Sequence, residues 1–159
     1  MIARMYARDI ARLATPIGWV ELAGTDAWVE RVAILGDGTP ARATVPALRA
    51  AADQLEAFFA GERRCFDIPL APAATPRGQA LRDAIVAIGY GKTLSYGEVA
   101  ARAASGARAV GQACARNPLP LFVPCHRVLA AGGPGHYSAG AGLSTKQWLL
   151  DHERRNRSD

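Results

Sequence analysis

Between residues 65 and 75 the chain carries Pro69 and Pro72 in Ala-rich filler, and the residue patterns on its two sides differ in kind. Proline lacks a backbone N–H and pins φ at about −65°, so such a stretch continues neither a helix nor a central strand. The chain is therefore expected to fold as an N-terminal α/β module over residues 1–72 and a mostly helical module over residues 73–159, with residues 65–75 as linker. A length of 159 residues suffices for one domain or for two small ones.

The first module reads as strands and then a helix. Residues 18–23 and 27–35 are rich in β-branched and aromatic types with partial alternation. Gly24-Thr25-Asp26 suits the turn between them, and residues 36–40 close the second run. A helix follows over residues 46–60, with Leu48, Ala52, Leu55 and Phe59 at helical spacing, Thr44 or Pro46 at its start and Gly61 at its stop.

In the second module Pro76 opens a helix carrying Leu81, Ile85 and Ile88, which ends at Gly89-Tyr90-Gly91. Ser95-Tyr96-Gly97-Glu98 is a capping box, in which each end satisfies a free amide of the first turn. Ser105-Gly106 breaks the helix it starts, and residues 107–115 form another, so the pair is a helix-turn-helix candidate. Residues 119–124 make an extended apolar approach to Cys125-His126-Arg127-Val128. Ser144-Thr145-Lys146-Gln147 is a second capping box, starting a helix with Trp148, Leu149 and Leu150.

A formal charge of +5, carried almost wholly by Arg, makes a polyanionic partner plausible. The three cysteines, Cys65, Cys114 and Cys125, have no Cys-x-x-Cys spacing, which argues against a disulfide framework and a Cys-rich zinc site. His126, His136 and His152 are too scattered to suggest a metal site. No apolar run approaches a membrane span, and residues 1–13 carry Arg4, Arg8, Asp9 and Arg12 where a signal peptide needs an apolar centre. A reducing cytoplasm with free thiols is the expectation. Cys65 and Cys114 read as buried structural thiols, and His136 and His152 as surface or interface residues.

Pro124-Cys125-His126-Arg127-Val128, with Asn117-Pro118 before it and Tyr137-Ser138 and Lys146-Gln147-Trp148-Leu149-Leu150 after it, resembles the O6-alkylguanine-DNA alkyltransferases. Ser95-Tyr96-Gly97 and Ala107-Arg108-Ala109-Val110-Gly111 match the same family in the same order. The resemblance implies an α/β fold. A small ribonuclease-H-like sheet-plus-helix module would precede a winged-helix-like, helix-turn-helix module. It implies transfer of an alkyl group from O6 of a flipped guanine to Cys125, once per molecule and with no cofactor. The implied partner is double-stranded DNA holding O6-alkylguanine, met through the minor groove by a monomer, with no membrane involved.

Displacement at carbon calls for a thiolate, and a free thiol of pKa about 8.5 is mostly protonated at neutral pH. His126 is the candidate acceptor of that proton, directly or through a water. A third group is needed to hold the imidazole tautomer. The resemblance places a family Glu just before the Trp-Leu-Leu helix, where this chain has Gln147, so a slower transfer is expected. By the same resemblance Asn117 is the hinge before the active-site segment. Arg108 fills the vacated base stack from a helix face kept small by Ala107, Ala109 and Gly111. Tyr137 stacks on the base, the Ser138 amide meets O6, the Val128 backbone faces the exocyclic amine, and Tyr96 donates to the leaving guanine.

The chain departs from the family pattern at Arg77 and Arg82, where many relatives have aromatics, and at Ala139, which replaces a Gly. The metal site of some relatives has no visible equivalent. Three other classes share parts of the pattern: a non-catalytic alkyltransferase-like lesion binder, a helix-turn-helix regulator that senses alkylation, and a Cys–His hydrolase.

Overall fold

The structure is a computed structural model that describes residues 8–157; Arg4 of the leader argument lies outside the described residues. The chain divides into two compact units, Met1–Ala71 and Pro72–Asp159. Among the described residues no helix is long and apolar enough to cross a membrane.

In the first unit β1 (Asp9–Thr15), β2 (Gly18–Gly24) and β3 (Val29–Leu35) form an antiparallel sheet in that order. Leu22 lies opposite Ala11 and Val32, and Val20 opposite Leu13 and Ile34. Ala11, Val20, Leu22, Val29 and Val32 are buried. An irregularity at Ala23/Gly24 lets Val29 and Val32, three residues apart, both turn inward. The turn into β2 depends on Gly18 at φ 115, where a Cβ would sit 2.6 Å from the Leu35 carbonyl oxygen. The sequence reading missed β1, because Asp9 and Arg12 interrupt its alternation and Ala11 is its one fully buried residue.

Helix α1 (Pro46–Phe59) covers the sheet with Leu48, Ala51, Leu55 and Phe58. The buried stripe uses Ala51 and Phe58 where the sequence reading used Ala52 and Phe59, a rotation of one residue about the same axis. Its N-cap, Val45, has no capping side chain. Asp9 substitutes from β1: its carboxylate accepts from the Thr44 and Val45 amides at 2.6 and 3.0 Å. Although burial works against it, those amides hold the Asp9 carboxyl below its ordinary range.

The stretch read as a linker is partly built into this unit. Val29 N donates to the Pro69 carbonyl at 2.9 Å and Ala71 N to the Val29 carbonyl at 2.8 Å. The Gln54 side chain clamps Asp67 through its amide and its carbonyl, at 2.8 and 3.1 Å. Proline at position 69 costs nothing there, since the ladder uses its carbonyl.

In the second unit Thr75 caps α2 (Pro76–Val86), accepting from Gly78 N at 3.0 Å with Pro76 in the first turn. The two-residue strands β4 (Leu94–Ser95) and β5 (Val128–Leu129) pair in parallel. That pair fastens the start of α3 (Tyr96–Arg102) beside the segment that follows Cys125. The Ser95/Glu98 capping box is present in full. After a turn through Ala104 at φ 51, α4 (Ala107–Ala115) runs to its buried Cys114. The last helix, α5 (Leu143–Asn156), starts at Gly142 without a side-chain cap. The capping box expected at Ser144 does not form. Thr145 Oγ1 instead accepts from the Ala141 amide at 2.9 Å, one turn upstream.

Leu55 is fully buried between α1 and the sheet. We expect Leu55→Ala to lower the unfolding free energy by about 2–5 kcal/mol in urea titrations, the usual cost of such a cavity.

Candidate active site

Cys125 opens a single 3-10 turn, Cys125–Arg127, rather than a continued extended segment. Cys125 N donates to the Val123 carbonyl at 2.8 Å and Arg127 N to the Pro124 carbonyl at 2.9 Å. Consecutive side chains diverge on such a turn. Cys125 goes to a cavity wall, while His126 and Arg127 go into the packing against α5.

Asn117 holds the loop that leads to this turn. Its Oδ1 accepts from Leu119 N at 2.9 Å, and its Nδ2 donates to the Val123 carbonyl at 3.0 Å and to Cys125 Sγ at 3.2 Å. Burial pushes the Cys125 thiol above its ordinary pKa, while the Asn117 N–H and the Lys146 charge pull it down. Burial prevails, so the resting group is a thiol with partners placed for its anion.

His126 is fully buried, and its Nε2 lies 2.7 Å from Glu153 Oε2. Arg127 donates to both Glu153 oxygens at 2.9 Å, and the Gly91 amide donates to Oε1 at 3.1 Å. Arg127 also reaches the Ile88 carbonyl at 2.7 Å. Burial alone would raise the Glu153 carboxyl, but its bonds and charge interactions with His126 and Arg127 hold it down at about 2. Glu153 and Arg127 cancel in charge, so a proton on His126 would add a net charge to the interior. Burial accordingly lowers the imidazole pKa against the pull of Glu153. A carboxylate only accepts, so His126 carries its proton on Nε2. Its Nδ1, buried and without a protein partner among the described residues, is left as a base.

This corrects the reading of Gln147. Gln147 is exposed on α5, where its amide donates to Asp151 Oδ1 at 2.9 Å. The carboxylate that orients His126 is Glu153, six residues on, so no charge is missing from the site. Lys146, Leu149, Leu150 and Glu153 share the inward face of α5. An acidic residue seven positions after a lysine, on the apolar stripe of a helix, was the available signal. Lys146 was also missed as a site residue. It is fully buried, and its Nζ donates to the Val128 and His136 carbonyls at 2.7 and 3.0 Å. Burial lowers its pKa, and the two nearby thiols raise it.

The cavity, of about 590 Å³, brings together Tyr96, Ala107, Arg108 and Gly111 from α3 and α4 with Cys125, Tyr137 and Ser138. Cys114, Gln112 and His136 line it too. Ala109 and Val128 are not in its wall. Val128 is fully buried, and its carbonyl is the one that Lys146 holds. Tyr96 is fixed by a close approach of Gly135, at φ 81, where a Cβ would lie 3.0 Å from the Tyr96 hydroxyl. Burial raises the pKa of that hydroxyl and of Tyr137's, so both keep their protons at neutral pH. Two thiol and histidine assignments also change. Cys65 is exposed, and His152 is buried and stacked on Trp148 at 4.8 Å. Among the described residues no cluster of His, Cys, Asp and Glu could hold a metal ion.

Residues 77–155 match the family model of the 6-O-methylguanine DNA methyltransferase DNA binding domain. The constitutive methylated-DNA–protein-cysteine methyltransferase of Bacillus subtilis is 44% identical over 111 residues, 69% of this chain and 67% of that protein. The Mycolicibacterium paratuberculosis protein of the same name is 41% identical over 152 residues, 89% of this chain and 90% of that one. The crystal structure of Mycobacterium tuberculosis O6-methylguanine methyltransferase superposes with a TM-score of 0.81 at 33% identity, covering 95% of each chain. A structure of M. tuberculosis OGT in complex with DNA gives 0.79 at 36% identity, covering 91% of this chain and 92% of that one. The fold is thus the mixed α/β fold of these proteins, and the chain belongs to the methylated-DNA–protein-cysteine methyltransferase family.

Breaking the buried carboxylate network strands Arg127. We expect Glu153→Gln to cost about 3–5 kcal/mol of stability, whereas Gln147→Glu, at the surface, stays within about 0.5 kcal/mol. Urea titration of both variants is the check.

Both titrations act in the same direction on acid stability. Glu153 falls from 4.5 to about 2 on folding, so its contribution is complete above 4.5 and is lost as pH falls towards 2. His126 is lowered from 6.5, so the unfolded chain takes up that proton first and stability declines once pH drops below 6.5. We expect unfolding free energies measured between pH 7 and 3 to fall steadily. A shift of the size seen at Glu153 contributes on the order of 3 kcal/mol, and Glu153→Gln flattens the lower part of the curve.

Proposed function

We propose that this protein repairs alkylated DNA by moving the alkyl group from O6 of guanine onto Cys125. The observation that carries this reading is a thiol on the wall of a guanine-sized cavity, held by Asn117 and backed by a neutral, carboxylate-oriented histidine. In the transfer the Cys125 proton passes to His126 Nδ1, directly or through one water. The sulfur then forms its bond to the alkyl carbon as the C–O6 bond breaks. Lys146 and the Asn117 N–H support the anion, and Glu153 stabilises the imidazolium. Tyr96, still protonated, donates to the departing guanine.

The target oxygen lies inside a base pair, so the guanine is extruded into the cavity at a cost of a few kcal/mol. Arg108, exposed at the cavity mouth, fills the gap in the stack, while Tyr137 stacks on the base and the Ser138 amide meets O6. Helices α3 and α4 serve as the helix-turn-helix of a winged-helix-like unit. The small residues Ala107, Ala109 and Gly111 let α4 approach the minor groove. The sheet-plus-helix unit before it is the ribonuclease-H-like module. The thioether is stable, so each molecule acts once, without a cofactor, as a cytoplasmic monomer.

Incubation with a duplex containing O6-methylguanine, followed by intact and peptide mass analysis, tests the proposal. We expect one methyl group on the Cys125 peptide of the native protein and none with Cys125→Ser. Gln147→Glu should transfer at the native rate. Tight binding of the duplex with unchanged protein mass would overturn the proposal in favour of a lesion binder.

A further inference from the structure

The cavity wall holds two thiols. Cys114 sits on the last turn of α4 with its side chain buried, and it lines the same cavity as Cys125. Asn117 ties the two segments together: its backbone N–H donates to the Cys114 carbonyl at 3.3 Å, and its side chain donates to Cys125 Sγ at 3.2 Å. The Lys146 charge acts on both sulfurs, and both act on the Tyr96 hydroxyl. Tyr137, 9% exposed, adds to this wall a hydroxyl that is buried and unpartnered among the described residues. The transfer to Cys125 uses neither Cys114 nor that hydroxyl.

We propose that Cys114 is a second acceptor, which closes a two-carbon thioether bridge to Cys125 when the transferred group is a 2-haloethyl chain. The inference rests on the transfer reading above and extends its substrate class to O6-(2-haloethyl)guanine. In the first step the Cys125 sulfur bonds to the carbon attached to oxygen, the C–O6 bond breaks, and guanine leaves with the thiol proton. The product, S-(2-haloethyl)cysteine, is a half-mustard. Its sulfur displaces the halide, which departs with the C–halogen electron pair, and a three-membered episulfonium ring forms. Cys114 Sγ then attacks a ring carbon, and the C–S electron pair returns to Cys125. The Cys114 proton leaves with the halide as net acid. No oxidant or reductant is needed.

The state of Cys114 suits this order of events. Burial first, and then the neighbouring Cys125 charge, pushes its thiol up to about 12, so it does not compete for the alkylguanine itself. An episulfonium ion formed in the same cavity is electrophilic enough for a neutral thiol. Confinement also gives that thiol a large effective concentration over water or DNA entering from outside. The bridge disposes of a cation that would otherwise link the spent protein to the DNA.

The test uses the full chain with two duplexes, one holding O6-methylguanine and one freshly made with O6-(2-chloroethyl)guanine. Trypsin cleaves at Arg116, between the two cysteines, so their peptides stay joined only if bridged. With the chloroethyl duplex we expect peptides joined through one ethylene unit, in about tenfold excess over 2-hydroxyethyl-Cys125. Cys114→Ser and, independently, Cys114→Ala should give no joined peptides, and Cys125 should appear as its hydroxyethyl or DNA-linked form. Methyl on Cys125 together with native protein giving the same hydroxyethyl and DNA-linked products as the variants overturns the bridge alone. No methyl on Cys125 of the native protein overturns the transfer reading, and the bridge with it.

Discussion

The Glu153 carboxylate is the interaction on which the C-terminal unit depends. It is almost inaccessible to solvent and takes four hydrogen bonds, from His126, twice from Arg127 and from the Gly91 amide. Those donors belong to the turn that bears the nucleophile and to the loop that follows α2, while the acceptor belongs to α5. One buried anion therefore fixes three segments far apart in sequence, and the fixed charge of Arg127 makes its burial tolerable. The same bond that anchors the helix sets the His126 tautomer, so structural support and chemistry share one group.

Around the thiol the balance is different. Burial disfavours a sulfur anion, while the Asn117 N–H and the Lys146 ammonium favour it. The result is a nucleophile that rests protonated and is ionised when a base and a substrate are in place. Such a thiol resists adventitious alkylation, which matters where the product is irreversible. Lys146 holds the Val128 and His136 carbonyls as well, so the cation that steadies the sulfur also shapes the loop that closes the cavity.

Much of this was legible in the residues. Turn chemistry and capping marked α2, α3 and α4 closely, because Thr75-Pro76, the Ser95/Glu98 box and Ser105-Gly106 act through bonds within a few residues. β1 was not legible, since its inward face amounts to little more than Ala11 and its identity as a strand comes from pairing with β2. The cap of α1 was hidden for a similar reason: its acceptor, Asp9, lies 35 residues before Thr44. Ser144 misled because Gly142 starts α5 earlier and Thr145 takes the local bond.

The sequence by itself determined the nucleophile, the ordered motifs around it and most helix boundaries, because these rest on residue identity and on contacts local in the chain. Tertiary structure alone decided which acid serves His126, that Lys146 lies beneath the thiol, and that Cys114 shares a cavity with Cys125. Gln147 and Glu153 are both polar residues on one helix. Only the rotation of α5 against the Cys125 turn sends one to solvent and the other into the interior, and that rotation is set by packing between segments that a linear pattern does not relate.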